Sequence, residues 1–258
     1  MILVESCSAA YFILHAITKK EGAAAVRSIV MTAGCSGCGA AAVTAAVAVQ
    51  MARQGKCVLL AEATAGLRRM NRLLGVREEA LFDLSDLLAG HCTLPDALLA
   101  TRTPGLTLLQ GSSAIDWVPE AAEIQLLCEE LAGTGQYDAL LWYCPAGAGA
   151  LQKGLLPAVE TLVFITDLTP QGIEAAAKTA DWWAEQGAQN LRTLFNRVGR
   201  RLPKDLGYPH LDAVLDTIGA RLLGMIPDGA DLPYSAATAN VARRLCGETC
   251  PLLAVYQP

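Results

Sequence analysis

The residues with the most chemistry to offer lie together in Gly34-Cys35-Ser36-Gly37-Cys38-Gly39-Ala40-Ala41. This segment falls between an apolar run, Ser28-Ile29-Val30-Met31-Thr32, and an alanine-rich stretch, Ala40 to Arg53, so it reads as a strand, a loop and a helix. A loop in that context can aim backbone N–H groups and the positive end of a helix at a phosphate, and glycine permits both the conformations and the close approach. The same loop carries Cys35-x-x-Cys38, whose thiols a helix N-terminus acidifies. It therefore offers two chemistries, anion binding and thiol chemistry, and the strand-loop-helix context favours the first.

The elements that must position this loop follow from the alternation of short apolar runs with helical patterns. Strands are expected at 28–32, 57–61, 106–110, 139–143, 161–166 and 192–196, with another ending at Ile226. Helices are expected at 40–53, 81–88, 94–100 and 120–132. The fold class is therefore α/β: a doubly wound, mostly parallel sheet of about seven strands, with residues 28–258 as one domain. Residues 1–27 read as an N-terminal extension, a strand-like Met1–Val4 and a helix-like Ala9–Lys20. It either packs on the domain as an edge strand and covering helix or meets another chain.

Composition narrows the function classes. The chain has 258 residues, 53% hydrophobic and 17% charged, which excludes a disordered or fibrous protein and implies a large buried core. A net charge of −5 argues against nucleic acid as a partner. The longest apolar stretches, Ala9 to Ile17 and Ala40 to Val49, are shorter than the roughly 20 residues of a spanning helix. Met1-Ile2-Leu3-Val4-Glu5 lacks the basic start of a secretion signal, and nine cysteines show no disulfide framework, so a reducing cytoplasm is expected.

Several ordered segments resemble the deviant Walker A P-loop ATPases of the MinD/ParA type. Gly34 to Ala41 falls on the family's GKGGxGKT loop as GCSGCGAA. Val58 to Gly75 is similar to its second motif, VLLIDADLGLRNLDLLLG, and Leu87 to Leu98 to a later L.G.CTLEEAL segment. Tyr137 to Gly147 stands where the family has YDYIIIDTPAG, Phe195-Asn196-Arg197 where it has a base-contacting strand end, and Leu223 to Asp228 where it has LGVIPDD. The resemblance spans about residues 28 to 253, most of the chain, and implies a P-loop fold. It also implies a nucleotide site at Gly34, Cys35, Gly37, Cys38, Gly39, Ala40, Ala41, Glu62, Asn196, Pro227 and Asp228.

The same comparison removes the family's catalytic groups. Its two lysines fall on Cys35 and Ala40, its magnesium-ligating hydroxyl on Ala41, its water-positioning aspartate on Glu62 and its Walker B aspartate on Tyr143. Phosphoryl transfer is mostly charge stabilisation and positioning, so no residue is assigned a catalytic role. Losing two charge-assisted contacts costs about 3–6 kcal/mol of triphosphate binding, or about 10² to 10⁴ in affinity. The expectation is that no cofactor is required, that ATP or ADP can bind only at low affinity through backbone groups, and that Mg²⁺ has no role and hydrolysis is not efficient. Arg68, Arg69 and Arg72 are able to hold phosphate oxygens, but their spacing reads as a solvated helix face.

The functional expectation is a degenerate family member kept as a homodimeric scaffold or adaptor in the spatial organisation of cell machinery, pilus-type machinery included, without a direct membrane anchor. One alternative is a working ATP-binding enzyme that uses backbone phosphate contacts. A second is a thiol or metal site at Cys35, Cys38 and Cys144, with Glu62 opposite, set against cysteine as a small apolar filler. Tyr143 is expected to fill the space of a lost magnesium site, and of Trp182 and Trp183 one ring is expected in the core and one at the surface.

Overall fold

The computed structural model describes residues 26–66, 69–76, 80–201, 203 and 206–252. Strand β1 (Arg27–Ala33) is followed by helix α1 (Ala40–Arg53), β2 (Val58–Glu62) and three short helices, α2 (Met70–Leu74), α3 (Leu84–Leu88) and α4 (Leu94–Ala97). Then come β3 (Leu98–Ala100), β4 (Leu106–Leu109), α5 (Ala121–Thr134), β5 (Ala139–Cys144), α6 (Ala150–Gly154) and β6 (Thr161–Thr166). The last elements are α7 (Pro170–Glu185), β7 (Leu191–Val198), α8 (Leu211–Ile218), β8 (Arg221–Pro227) and α9 (Ala236–Leu245). The expected strand and helix within residues 1–25 lie outside the described residues.

The strands form one eight-stranded sheet in the order β3-β4-β2-β5-β1-β6-β7-β8. Every pairing is parallel except β3 with β4. The strand missing from the sequence reading is β3, which falls in a stretch expected to be helical through Ala100. A Thr93/Asp96 capping box and Pro95 start that helix, but after Ala97 the backbone extends and Leu98, Leu99 and Ala100 pair with Leu109, Leu108 and Thr107. Pairing with β4 overrides the local helical pattern. The helix expected from Leu81 begins instead at Leu84, because Asp83 caps it and its partner Asp86 closes a second capping box.

Because both faces are covered, the central strands are apolar without alternation. One face packs against α1, α2 and α9 and buries Met31, Leu60, Leu141 and Tyr143 with Val47, Met70 and Val241. The other buries Val30, Leu59, Trp142 and Cys144 with Ile124, Ile173 and Val214. Alanine dominates α1, which lets it lie close between the sheet and α9. Gln50 Nε2 and Arg53 Nη1 donate to Pro233 O at 2.8 and 2.7 Å, and Gln54 Nε2 donates to Ala239 O at 3.1 Å. Trp183 is fully buried on α7 with Trp182 edge-on at 5.4 Å and half-buried, so the pair divides as the sequence suggested. No helix among the described residues is long and apolar enough to cross a membrane.

Trp142 on β5 is fully buried, and its indole N–H has no partner. Trp142→Ala is expected to lower the unfolding free energy by about 3–5 kcal/mol. Trp142→Phe, which keeps a ring and removes the unpartnered N–H, is expected to lose less. Urea unfolding followed by circular dichroism measures both.

Candidate functional site

In an open parallel sheet ligands bind beyond the carboxyl ends of the strands, where the strand order reverses. Here β1 lies between β5 and β6, and its crossover through α1 returns past β5 to β2. The glycine loop therefore leaves β1 at this reversal. Two of its glycines are required by contact. A Cβ on Gly34 would lie 3.0 and 3.1 Å from the Cβ atoms of Ala176 and Thr166, and Gly39 has a φ of 84° with Asn196 Nδ2 only 2.8 Å from where its Cβ would stand.

The far ends of β6 and β7 hold the loop in place. Gly34 N donates to Ile165 O at 2.7 Å. Asn196, buried on β7, donates from Nδ2 to Cys38 O at 2.8 Å, and Arg197 Nη1 donates to Gly37 O at 3.0 Å. Arg197 itself has a φ of 56°, a left-handed conformation that costs a non-glycine residue energy. Asn196, expected to contact a base, is thus engaged with the loop backbone. Pro227 ends β8, and Asp228 donates its N–H to Val198 O at 3.0 Å. Asp228 lines a separate hollow of about 350 Å³ with Asp167, Arg197 and Arg201.

A pocket of about 760 Å³ opens over the loop, lined by Cys35, Gly37, Cys38, Gly39, Ala40 and Ala41, by Tyr143 and Pro145, and by Arg69, Arg72 and Leu73. Tyr143, 3% exposed, stands in the wall of this pocket. Burial raises its phenol pKa, with Glu62 adding to the rise and Arg69 opposing it. Arg69 and Arg72 are exposed, as a solvated face would be, yet they form a wall of the same pocket, which the sequence reading did not assign them. Arg68 lies outside the described residues.

Glu62 is fully buried and turned toward the start of α2, where it accepts from Arg69 N at 2.7 Å and Met70 N at 3.4 Å. Burial raises its carboxyl pKa, while the N–H groups of Arg69, Met70 and Gly111 and the Arg69 charge pull it down. Glu62 thus serves as an acceptor for the turn that carries Arg69. Among the described residues no carboxylate lines the loop pocket, so those residues do not fit a magnesium ion, a hard cation that takes oxygen ligands. They do fit an anion: Arg69 and Arg72 line the same pocket as the first turn of α1, whose N–H groups lack intrahelical acceptors.

The proposed three-cysteine site does not form. Successive residues of β5 point to opposite faces, so Tyr143 shares the Cys38 side of the sheet while Cys144 is fully buried on the other, with Gln152 as its hydrogen-bond partner. No cluster of three or more His, Cys, Asp or Glu able to hold a metal occurs among the described residues.

No protein-family model matches the chain. Similar proteins are nonetheless plentiful. The chain is 32% identical over 243 residues to a putative septum site-determining protein MinD of Oltmannsiellopsis viridis, with 86% of this chain and 76% of that protein covered. It belongs to the MinD/ParA-type P-loop ATPase family. The septum site-determining protein MinD of a Synechocystis strain is 28% identical over 250 residues, covering 88% of this chain and 92% of the relative. Among solved structures, the MinC:MinD cell division protein complex of Aquifex aeolicus superposes with a TM-score of 0.77 at 26% identity, covering 89% of this chain and 99% of that one.

Two groups in this MinD-like site are open to direct test. The folded-state pKa of Glu62 stands above its unfolded value of about 4.3, so the stability its proton confers is complete below that value and declines as pH rises through the folded pKa. Glu62→Gln, with no charge to desolvate, is expected to flatten this decline in melting temperature between about pH 4 and 8. Asn196→Ala leaves Cys38 O without its buried donor and is expected to cost about 1–3 kcal/mol in thermal unfolding.

Proposed function

We propose that this chain is a MinD-like scaffold that binds an anionic group, such as the phosphates of ATP or ADP, at its glycine loop without magnesium and without turnover. The observation that carries this reading is the lining of the pocket, which pairs two arginines with a helix N-terminus and, among the described residues, holds no carboxylate. The N–H groups of α1 and the guanidinium groups of Arg69 and Arg72 would hold the phosphates. A bound nucleotide would supply only its charge and its base. No residue in the pocket stands ready to order an attacking water, since Glu62 is committed to the turn before α2.

In this reading the family fold acts as a homodimer that presents a surface to a partner protein, as the MinD chain of the Aquifex complex meets MinC. The role is an adaptor in the spatial organisation of cell machinery, pilus-type assemblies included, in a reducing cytoplasm. Free thiols at Cys35, Cys57 and Cys144 agree with that compartment.

Titration calorimetry with ATP and ADP, with and without Mg²⁺, combined with a phosphate-release assay, tests the reading. The expected result is binding that magnesium does not strengthen and no release above background. Replacing Arg69 or Arg72 by alanine is expected to weaken binding by about tenfold or more, the value of one charge-assisted contact. Magnesium-dependent phosphate release would overturn the scaffold reading, and sedimentation velocity tests the dimer.

A further inference from the structure

The thiols of Cys35 and Cys38 face each other across one turn of the glycine loop, and anion binding uses neither of them. Cys35 is partly exposed on the pocket wall, and Cys38 is 1% exposed beneath it. Three donors converge on Cys35 Sγ: the Cys38 thiol, the Thr166 hydroxyl at 3.5 Å and the backbone N–H of Asp167. The Cys38 hydrogen bond is the strongest of these influences. With the other two it holds the Cys35 thiol at about 6, against burial and the Asp167 carboxylate, which raise it. Its partner is in the complementary state. The bond to Cys35, burial and the charge of Cys35 hold the Cys38 thiol far above the usual range, while the N–H groups of Cys35 and Ala40 pull it back. Ile165 O lies 3.0 Å from Cys38 Sγ as a further acceptor.

We propose that Cys35 and Cys38 form a redox-active dithiol that exchanges with a low-molecular-weight disulfide bearing carboxylates, admitted through the loop pocket beside Arg69 and Arg72. The Cys35 thiolate attacks one sulfur of the disulfide RS–SR, the S–S bond breaks and RS⁻ leaves, taking a proton from water. Cys35 is then neutral, so two of the three influences that held the proton on Cys38 are gone, and the N–H groups of Cys35 and Ala40 favour its thiolate. Cys38 attacks Cys35 Sγ, breaking the mixed disulfide, and the proton it gives up passes to the second departing RS⁻. Two electrons pass from the cysteines to RS–SR, which leaves as two thiols, and the loop closes with one Cys35–Cys38 bond.

The test uses the full chain, oxidised glutathione as the anionic disulfide, cystamine as a cationic one, and peptide mass mapping. Oxidised glutathione is expected to give a Cys35–Cys38 disulfide faster than cystamine does. Cys38→Ser is expected to stop at a mixed disulfide on Cys35. In the unmutated chain, iodoacetamide alkylation of Cys35 should reach half its maximal rate near pH 6. Cys38→Ala, which removes the donor, should move that midpoint upward. Failure to find the Cys35–Cys38 disulfide, or a Cys35 midpoint at the ordinary thiol value, would overturn the dithiol. Equal rates with the two disulfides would overturn the carboxylate class.

Discussion

The placement of β1 between β5 and β6 governs the rest of this molecule. A parallel strand in mid-sheet must leave at its carboxyl end, and a right-handed crossover must carry the chain over a neighbouring strand before it can pair again. For β1 that crossover is α1, and the strand passed over is β5. The turn from Ala33 to Ala40 is therefore forced into the narrow gap above β5 and β6, against Ala176 and Thr166, which is why Gly34 has no room for a side chain. The strands beyond β6 then fasten the turn through the carbonyls of Gly37 and Cys38. A loop held this way keeps its shape without any ligand, since both of the carbonyls that a mobile loop would leave to water are already satisfied.

Among the described residues the wall of the loop pocket holds Cys35, Ala40 and Tyr143, where a charge would need a partner in a half-closed space. Glu62 is a fully buried carboxylate, and its environment shows what burying that charge requires. Its carboxylate has three backbone N–H donors, and burial still raises its pKa. The low charged fraction of the whole chain thus extends into the pocket floor, while cations are retained where they are cheapest to keep, on the exposed face of α2 at Arg69 and Arg72.

Much of this was legible in the sequence. The helix Ala40–Arg53 and the strand Thr161–Thr166 were read with the bounds the structure shows, because each is a long run with one periodicity and a glycine or charged residue at its end. The misread elements are those whose conformation is decided by partners distant in sequence. Leu98 to Ala100 continues a helical pattern until pairing with β4 claims it. The site was legible as far as the loop, since glycine spacing between strand and helix is a local signal. Cys144 was misplaced because adjacency to the loop was read from the strand end, whereas the two-residue alternation of β5 sends Tyr143 and Cys144 to opposite faces. The pocket-facing side of Arg69 and Arg72 was missed because α2 is a single short helix after a loop, and its rotation is set by the acceptor beneath it, Glu62.

This last dependence links the fold to its chemistry. A buried carboxylate in a P-loop fold invites a catalytic reading, but a carboxylate whose lone pairs are engaged by N–H groups cannot also take a proton from water without releasing them. Here Glu62 fixes the start of α2, α2 fixes Arg69 and Arg72, and those arginines set the charge of a pocket whose floor is otherwise neutral. Glu62 acts one step away from the pocket, by accepting from the turn that carries Arg69. Charge recognition and turnover are separable in such an arrangement, because the first needs only fixed positive groups and the second needs a base and a metal. In the proposed reading Arg69 and Arg72 meet the first requirement, and Cys35 and Cys38 stand in the wall of the same pocket.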